Sequence, residues 1–252
     1  MSTILSNRVQ KVKPSATMAV SDKAKELKSQ GIQIVSMGSG EPDFDTPTNI
    51  QKAAIKAIGN GETRYTAADG TPELKKAICE KFKRENGLDY SLNEVMVSCG
   101  GKQVFYNLCQ AILNSGDEVI IPTPYWVSYP DMAILADASP VFIETGLDQD
   151  FKISPEQLEA SITPNTKLLV LNSPSNPTGS VYSKSEIEAL GSVLEKYPHV
   201  LTISDDIYEH IRWGDDDFVN IAMACPNLED RVIILNGVSK DYAMTGWRIG
   251  YA

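Results

Sequence analysis

The chain is poor in the residues that metal, disulfide and serine-hydrolase chemistry require. Among 252 residues there are 2 histidines, His199 and His210, at a spacing that suits no metal site. Its 4 cysteines, Cys79, Cys99, Cys109 and Cys225, are scattered without a C-x-x-C. That excludes a disulfide framework or a cysteine metal cluster and points to reduced thiols. No apolar run reaches the length of a membrane span, and Met1 to Lys13 lack the apolar core of a secretory signal. Lys and Arg number 23 against 33 Asp and Glu, a net charge of −10, which argues against a nucleic-acid or anionic-membrane partner. G-x-S-x-G is absent, no G-x-G-x-x-G follows the first strand of the alternating region, and Gly101-Lys102 lacks P-loop spacing. What remains is a cytoplasmic protein whose 42% hydrophobic residues suffice for a sizeable core.

The periodicity predicts a helix over 19–30, closed by Gly31, then a short strand at 32–36 and the loop 38–47, and a second helix over 48–58. Thr71-Pro72-Glu73 is a helix start, with Leu74, Ala77, Ile78 and Phe82 on one face and Gly87 as its stop. Strands are then expected at 95–98, 118–121, 141–144, 168–171, 201–204, 232–235 and 248–251, alternating with helices at 102–113, 126–136 and 183–197. Alternation of this kind reads as an α/β fold, a mostly parallel sheet of seven strands with helices on both faces. Composition shifts near residues 40–47, which divides an N-terminal arm, 1–46, from a sheet domain, 47–252. The acidic run Asp215 to Asp217 reads as a solvated loop.

Open α/β sheets bind ligands beyond the carboxyl ends of their strands, and four strand ends, expected to be consecutive in the sheet, carry the polar candidates. Ser98-Cys-Gly100-Gly101-Lys102 precedes a helix, where free amides and small residues suit an anion; alone it is equally a plain turn. Asn172 to Gly179 offers the Asn176 amide in a Pro-rich turn, and Asp205 either caps a turn or holds a ring nitrogen protonated. Tyr208 lies close behind it. Finally Ser239-Lys240 follows an apolar strand, and Arg248 leads into another apolar run. A partly desolvated lysine is a carbonyl-reactive amine, and an arginine grips phosphate with a fork of donors. Each of these types alone is commonest as a solvated surface residue; together they suggest a Schiff-base lysine beside a phosphate site, the needs of pyridoxal phosphate.

Gly40-Glu-Pro-Asp-Phe44, Tyr65-Thr-Ala-Ala-Asp-Gly70, Gly100-Gly-Lys-Gln103, Pro124-Tyr-Trp-Val-Ser-Tyr-Pro130, Asn176-Pro-Thr-Gly179, Asp205-Asp-Ile-Tyr208 and Ser239-Lys240 with Gly246-Trp-Arg-Ile-Gly250 occur in one order. In these motifs the chain resembles the class I aminotransferases of the fold-type-I group, and Lys13-Pro-Ser-Ala-Thr17 is similar to the start of the bacterial aspartate and aspartate/prephenate branch. The resemblance implies the large domain of that fold, with pyridoxal 5'-phosphate bound. Lys240 would form the Schiff base and shuttle the proton, and Asp205 would pair with the pyridine nitrogen. Tyr208 and Asn176 would meet the phenolic oxygen, and Trp126 would stack on the ring. Gly100, Gly101, Lys102, Ser239 and Arg248 would hold the phosphate. Tyr65 would reach the phosphate of a neighbouring subunit, implying a homodimer. Gly40, Lys13, Trp126 and Asn176 would face the substrate.

The resemblance also implies a C-terminal small domain beyond Ala252, which supplies the arginine for the substrate's α-carboxylate. Without it the chain is expected to bind cofactor and to transaminate poorly. The reaction implied is transfer of an amino group from an aspartate-like donor to a 2-oxo acid. The alternatives are a cofactor-binding remnant with little turnover and another reaction on the same fold, such as a β-lyase.

Overall fold

The computed structural model describes residues 4–14, 16–35, 37–38, 40–214 and 217–252. Outside them fall Ser15 of the 13–17 motif, Ser36 of the expected first strand, Ser39 of the 38–47 loop, and Asp215 and Asp216 of the acidic run.

Helices α1 (Asn7–Gln10), α2 (Ala16–Ser29) and α3 (Thr48–Gly59) come first, then α4 (Pro72–Lys81). The expected start of α4 is present: the Thr71 hydroxyl accepts the Leu74 amide and Pro72 occupies the first turn. The helix widens into a π turn, Phe82–Asn86, and stops at Gly87 with φ of 69°. From there strands and helices alternate: β1 (Val97–Ser98), α5 (Gly101–Ile112), β2 (Glu118–Pro122), α6 (Ser128–Leu135), β3 (Ser139–Ile143), α7 (Pro155–Ser161), β4 (Thr166–Asn172), α8 (Lys184–Glu195), β5 (Leu201–Asp205), α9 (Ile221–Ala224), β6 (Val232–Gly237) and β7 (Gly250–Tyr251). Both α7 and α8 begin with a capping box, Ser154 with Gln157 and Ser183 with Glu186.

The described residues form one 7-stranded sheet in the order β1-β7-β6-β5-β4-β2-β3. β2 to β6 run parallel, whereas β7 is antiparallel to both β6 and β1. Consecutive residues of a strand face opposite layers. Val119 and Ile121 of β2 join α5 and α6 in one core with Phe105 and Ala133. Ile120 between them, and Leu169 and Leu171 of β4, join α8 in another with Leu190 and Leu194. A third core packs α4 against the far end of the sheet through Ile78, Phe82, Ile234 and Tyr251. Helices thus cover both faces. No helix among the described residues is long and apolar enough to cross a membrane.

Three expectations are corrected. Residues 32–35 form no strand; Val35 is exposed, and an alternating segment without a neighbouring ladder has nothing to pair with. Arg248 is not in a strand: it stands in a left-handed turn, φ of 56°, and the ladder starts at Gly250. The four strand ends are not consecutive, because β7 lies between β1 and β6.

Candidate functional site

Strand direction decides where the polar residues gather. Because β1, β4, β5 and β6 all point the same way, their carboxyl ends share one edge. β7, running back, starts from that edge, so the turn carrying Arg248 lies there too. The register aligns Asn172 with Asp205 and Asp205 with Leu235, and β6 then continues to Gly237 before the turn that carries Ser239 and Lys240.

At one end of this edge Gly100, with φ of 88°, caps α5. A Cβ there would collide with the Arg248 guanidinium, its Cζ 2.8 Å away, and a Cβ on Gly250 would strike the backbone of Gly100 and Gly101. The guanidinium therefore lies close against the N-cap of a 12-residue helix, held by donation from Nη1 to the Thr245 carbonyl at 2.6 Å. The amides of Gly101 and Lys102 are among the first of that helix, which have no intrahelical acceptor. Arginine fork and helix N-terminus together make an anion cradle.

Next to it stands the aromatic group. Lys102 Nζ lies 5.2 Å from the centre of the half-buried Trp126 ring. Trp126 meets Tyr129 edge-on at 5.2 Å, and the buried Tyr129 hydroxyl donates to Asp205 Oδ2 at 2.5 Å. Asp205, the last residue of β5, is 5% exposed. Burial pushes its carboxyl up to about 6, against the opposing pull of Tyr129 and of the Ile207 amide, which donates to Oδ1 at 3.3 Å.

On the β4 side, Asn172 is the hub. Its Nδ2 donates to the Asp205 carbonyl at 2.9 Å and its Oδ1 accepts the Asn176 amide at 2.8 Å. Asn176 Nδ2 in turn donates to the Tyr208 hydroxyl at 3.4 Å. Burial and the neighbouring Asp205 charge raise the Tyr208 phenol, with Asn176 opposing.

Lys240 closes the group. Its Nζ donates to the Gly40 carbonyl and sits 5.8 Å from the centre of the Tyr208 ring. Desolvation holds this amine below the ordinary lysine value, Glu41 opposing and Arg248 reinforcing the shift. The segment carrying Gly40 is strapped on by Thr245 donating to Glu41 Oε1, Thr46 donating to the Ala243 carbonyl at 2.6 Å, and Trp247 Nε1 donating to Thr46 at 3.1 Å. Ser239 is half-buried in the same turn, where its carbonyl accepts the Met244 amide at 3.2 Å.

The structure thus brings Gly40, Gly100, Gly101, Lys102, Trp126, Asn176, Asp205, Tyr208, Ser239, Lys240 and Arg248 to one edge. Lys13 and Tyr65 are exposed, Tyr65 at 107%, and no described hydrogen bond or ion pair ties either to this group. Sequence reasoning passed over Tyr129 and Asn172. The signal for Tyr129 was a tyrosine on an otherwise apolar buried helix face, whose hydroxyl needs a partner; for Asn172 it was an amide ending a strand of apolar residues.

The family model for aminotransferases of class I and II matches residues 32–252. The aspartate/prephenate aminotransferase of Nitrosomonas europaea is 61% identical over 247 residues, covering 98% of this chain and 62% of that protein. The corresponding protein of Cereibacter sphaeroides is 57% identical over 248 residues, 98% of this chain and 62% of its own length. Among solved structures, an aspartate aminotransferase from Rhizobium meliloti superposes with a TM-score of 0.96 at 49% identity, over 99% of this chain and 62% of that one. The Thermus thermophilus aspartate aminotransferase with maleate gives 0.93 at 47%, over 99% and 64%. The chain therefore spans less than two thirds of the length of these relatives.

Proposed function

The chain belongs to the class I and II aminotransferase family, and from that premise we propose that it is the cofactor-binding portion of a pyridoxal 5'-phosphate enzyme that moves an amino group from an aspartate-like amino acid to a 2-oxo acid. Residues 47–252 are the large domain of such an enzyme, and residues 1–46 an N-terminal arm with part of its small domain. The observation that carries the reading is the convergence, on one sheet edge, of an amine, a buried carboxylate and an anion cradle.

The residues fit the cofactor. The peptide at Gly100, left bare of a side chain, and the Arg248 fork match a phosphate, with Gly101, Lys102 and Ser239 completing the cradle. Asp205, buried and supplied with donors, matches a protonated ring nitrogen; Asn176 and Tyr208 match the phenolic oxygen, and Trp126 the ring face. When bound, the group supplies an electron-accepting pyridine ring next to the substrate's Cα. The chain's own contribution is positional and acid-base. Lys240 Nζ, its proton affinity lowered by desolvation, takes and returns the Cα proton. Asp205 would stabilise positive charge on the ring nitrogen, and Gly40, Trp126 and Asn176 would face the substrate.

The full exposure of Tyr65, and the exposed Ile55 and Ile58 on α3, support a homodimer in which Tyr65 enters the partner's site. The four free thiols accord with a cytoplasmic location.

The test begins with pyridoxal 5'-phosphate added to the purified chain, borohydride reduction and peptide mass mapping. The expected label is on Lys240, lost in Lys240→Ala. Product analysis with aspartate and 2-oxoglutarate should then show a new amino acid rather than free ammonia. A label elsewhere, or none, sinks the reading.

A further inference from the structure

The Asp205 carboxylate is not held by charge. No cation is paired with it among the described ion pairs, and it is buried at the end of a central strand. A carboxylate in that position must have its lone pairs met by donors, or it takes up a proton. Two donors meet it: the Ile207 amide on Oδ1 at 3.3 Å, beyond the ordinary range for N–H to O, and the Tyr129 hydroxyl on Oδ2 at 2.5 Å. The phenol is therefore the main support.

Tyr129 is built for constancy. Its ring is fully buried between Phe105, at 5.1 Å, and Trp126, which meets it nearly at right angles at 5.2 Å, so the hydroxyl has one direction to point. Burial, and then the Asp205 charge, lift its own titration well above that of a free phenol, so it remains a donor throughout the neutral range. The titratable neighbours of Asp205 on its own segment are Asp206 and Tyr208. α6 brings Tyr129, while β4 brings the neutral Asn172 and β6 the apolar Leu235 in register.

We propose that Tyr129 is a positioning residue for Asp205: its hydroxyl sets the direction and the charge of the carboxylate presented to the cofactor's ring. The purpose rests on the function proposed above, but the contact stands without it. Because Trp126 packs edge-on against the same tyrosine, one side chain of α6 registers the ring-stacking residue against the ring-nitrogen residue.

The test needs no cofactor. The carboxyl carbon of Asp205, assigned by its loss in Asp205→Asn, is titrated by carbon-13 NMR in the parent chain and in Tyr129→Phe. The proposal expects the Asp205 midpoint to rise by about one unit, a tenfold gain in proton affinity, once the donor to the charged form is gone. Tyr182→Phe removes another buried tyrosine hydroxyl, the one that accepts the Ile153 amide at 2.9 Å, and should leave Asp205 unmoved. Should Tyr129→Phe fail to fold, growth on 3-fluorotyrosine makes every phenol a stronger donor, and the Asp205 midpoint should then fall. An Asp205 midpoint that shifts in neither preparation, or shifts equally in Tyr182→Phe, overturns the proposal. Failure of the proposed function appears elsewhere, as the absence of a Lys240 label in the parent chain.

Discussion

Two glycines of this chain share a positive φ but stand in different surroundings. Gly87, at 69°, would carry a Cβ into open space, whereas Gly100, at 88°, would drive one into the Arg248 guanidinium. Gly87→Ala should therefore cost only the backbone strain of a left-handed residue, about 1–2 kcal/mol. Gly100→Ala should cost more, about 2–4 kcal/mol, since the arginine must move as well. Urea unfolding with and without inorganic phosphate would separate the two. Phosphate should stabilise the parent and Gly87→Ala, and Gly100→Ala hardly at all; equal losses and equal phosphate effects would show that the guanidinium does not depend on the bare peptide. At this scale the sequence was unevenly legible. Lys240, Asp205 and Asn176 stand at or just past apolar runs, so their place at a sheet edge could be read directly. Tyr129 and Asn172 act through partners 76 and 33 positions away, and such pairings exist only once the strands are in register.

The elements behind the site are joined by a buried polar knot. Glu209, after β5, pairs with Lys81 at the end of α4 and accepts from Asn236 in β6 at 2.7 Å and from Asn86 at 3.2 Å. Lys81→Met would leave that carboxylate buried without its cation, at a cost of about 3–5 kcal/mol. The pair replacement Lys81→Met with Glu209→Gln should recover part of the loss, because the neutral amide needs no cation and its oxygen can still accept from Asn236 or Asn86. Denaturant midpoints of the single and double variants check this; a double variant as weak as the single one would assign the loss to packing instead. Elements were the most legible level: hydrophobic period and caps locate α4, α5, α8 and all of the strands from β1 onward to within a few residues. Direction was not legible. The apolar residues around Tyr251 announce a strand, but nothing local says that β7 runs against its neighbours, nor that the apolar residues at 32–35 lack a ladder to join.

For the molecule as a whole, burial of acid at the site edge has a consequence for stability against pH. Asp205 and Asp206 are pushed by burial up to about 6 and about 8. The folded chain therefore holds protons that the unfolded chain has released, and stability falls as pH rises from about 4 through these values. Carboxylates shifted downward, such as Asp69, Glu94 and Glu186, vary only below the ordinary carboxylate range. Between pH 8 and pH 6 the cofactor-free chain should therefore gain about 2–3 kcal/mol. The rise would be read as an increase in melting temperature, and Asp206→Asn should flatten it. A melting temperature that falls over the same interval would contradict the assignment.

The antiparallel β7 also sets a timetable. Val97 pairs with Tyr251, and Arg248 lies against Gly100, so the proposed anion cradle joins segments far apart in the sequence. At about 5–20 residues per second of synthesis, the glycine turn leaves the ribosome on the order of 10–30 s before the arginine that completes it. Until then β2 to β6 can pair among themselves while β1 waits at an open edge. The part of this sheet proposed to hold an anion is thus completed after β2 to β6.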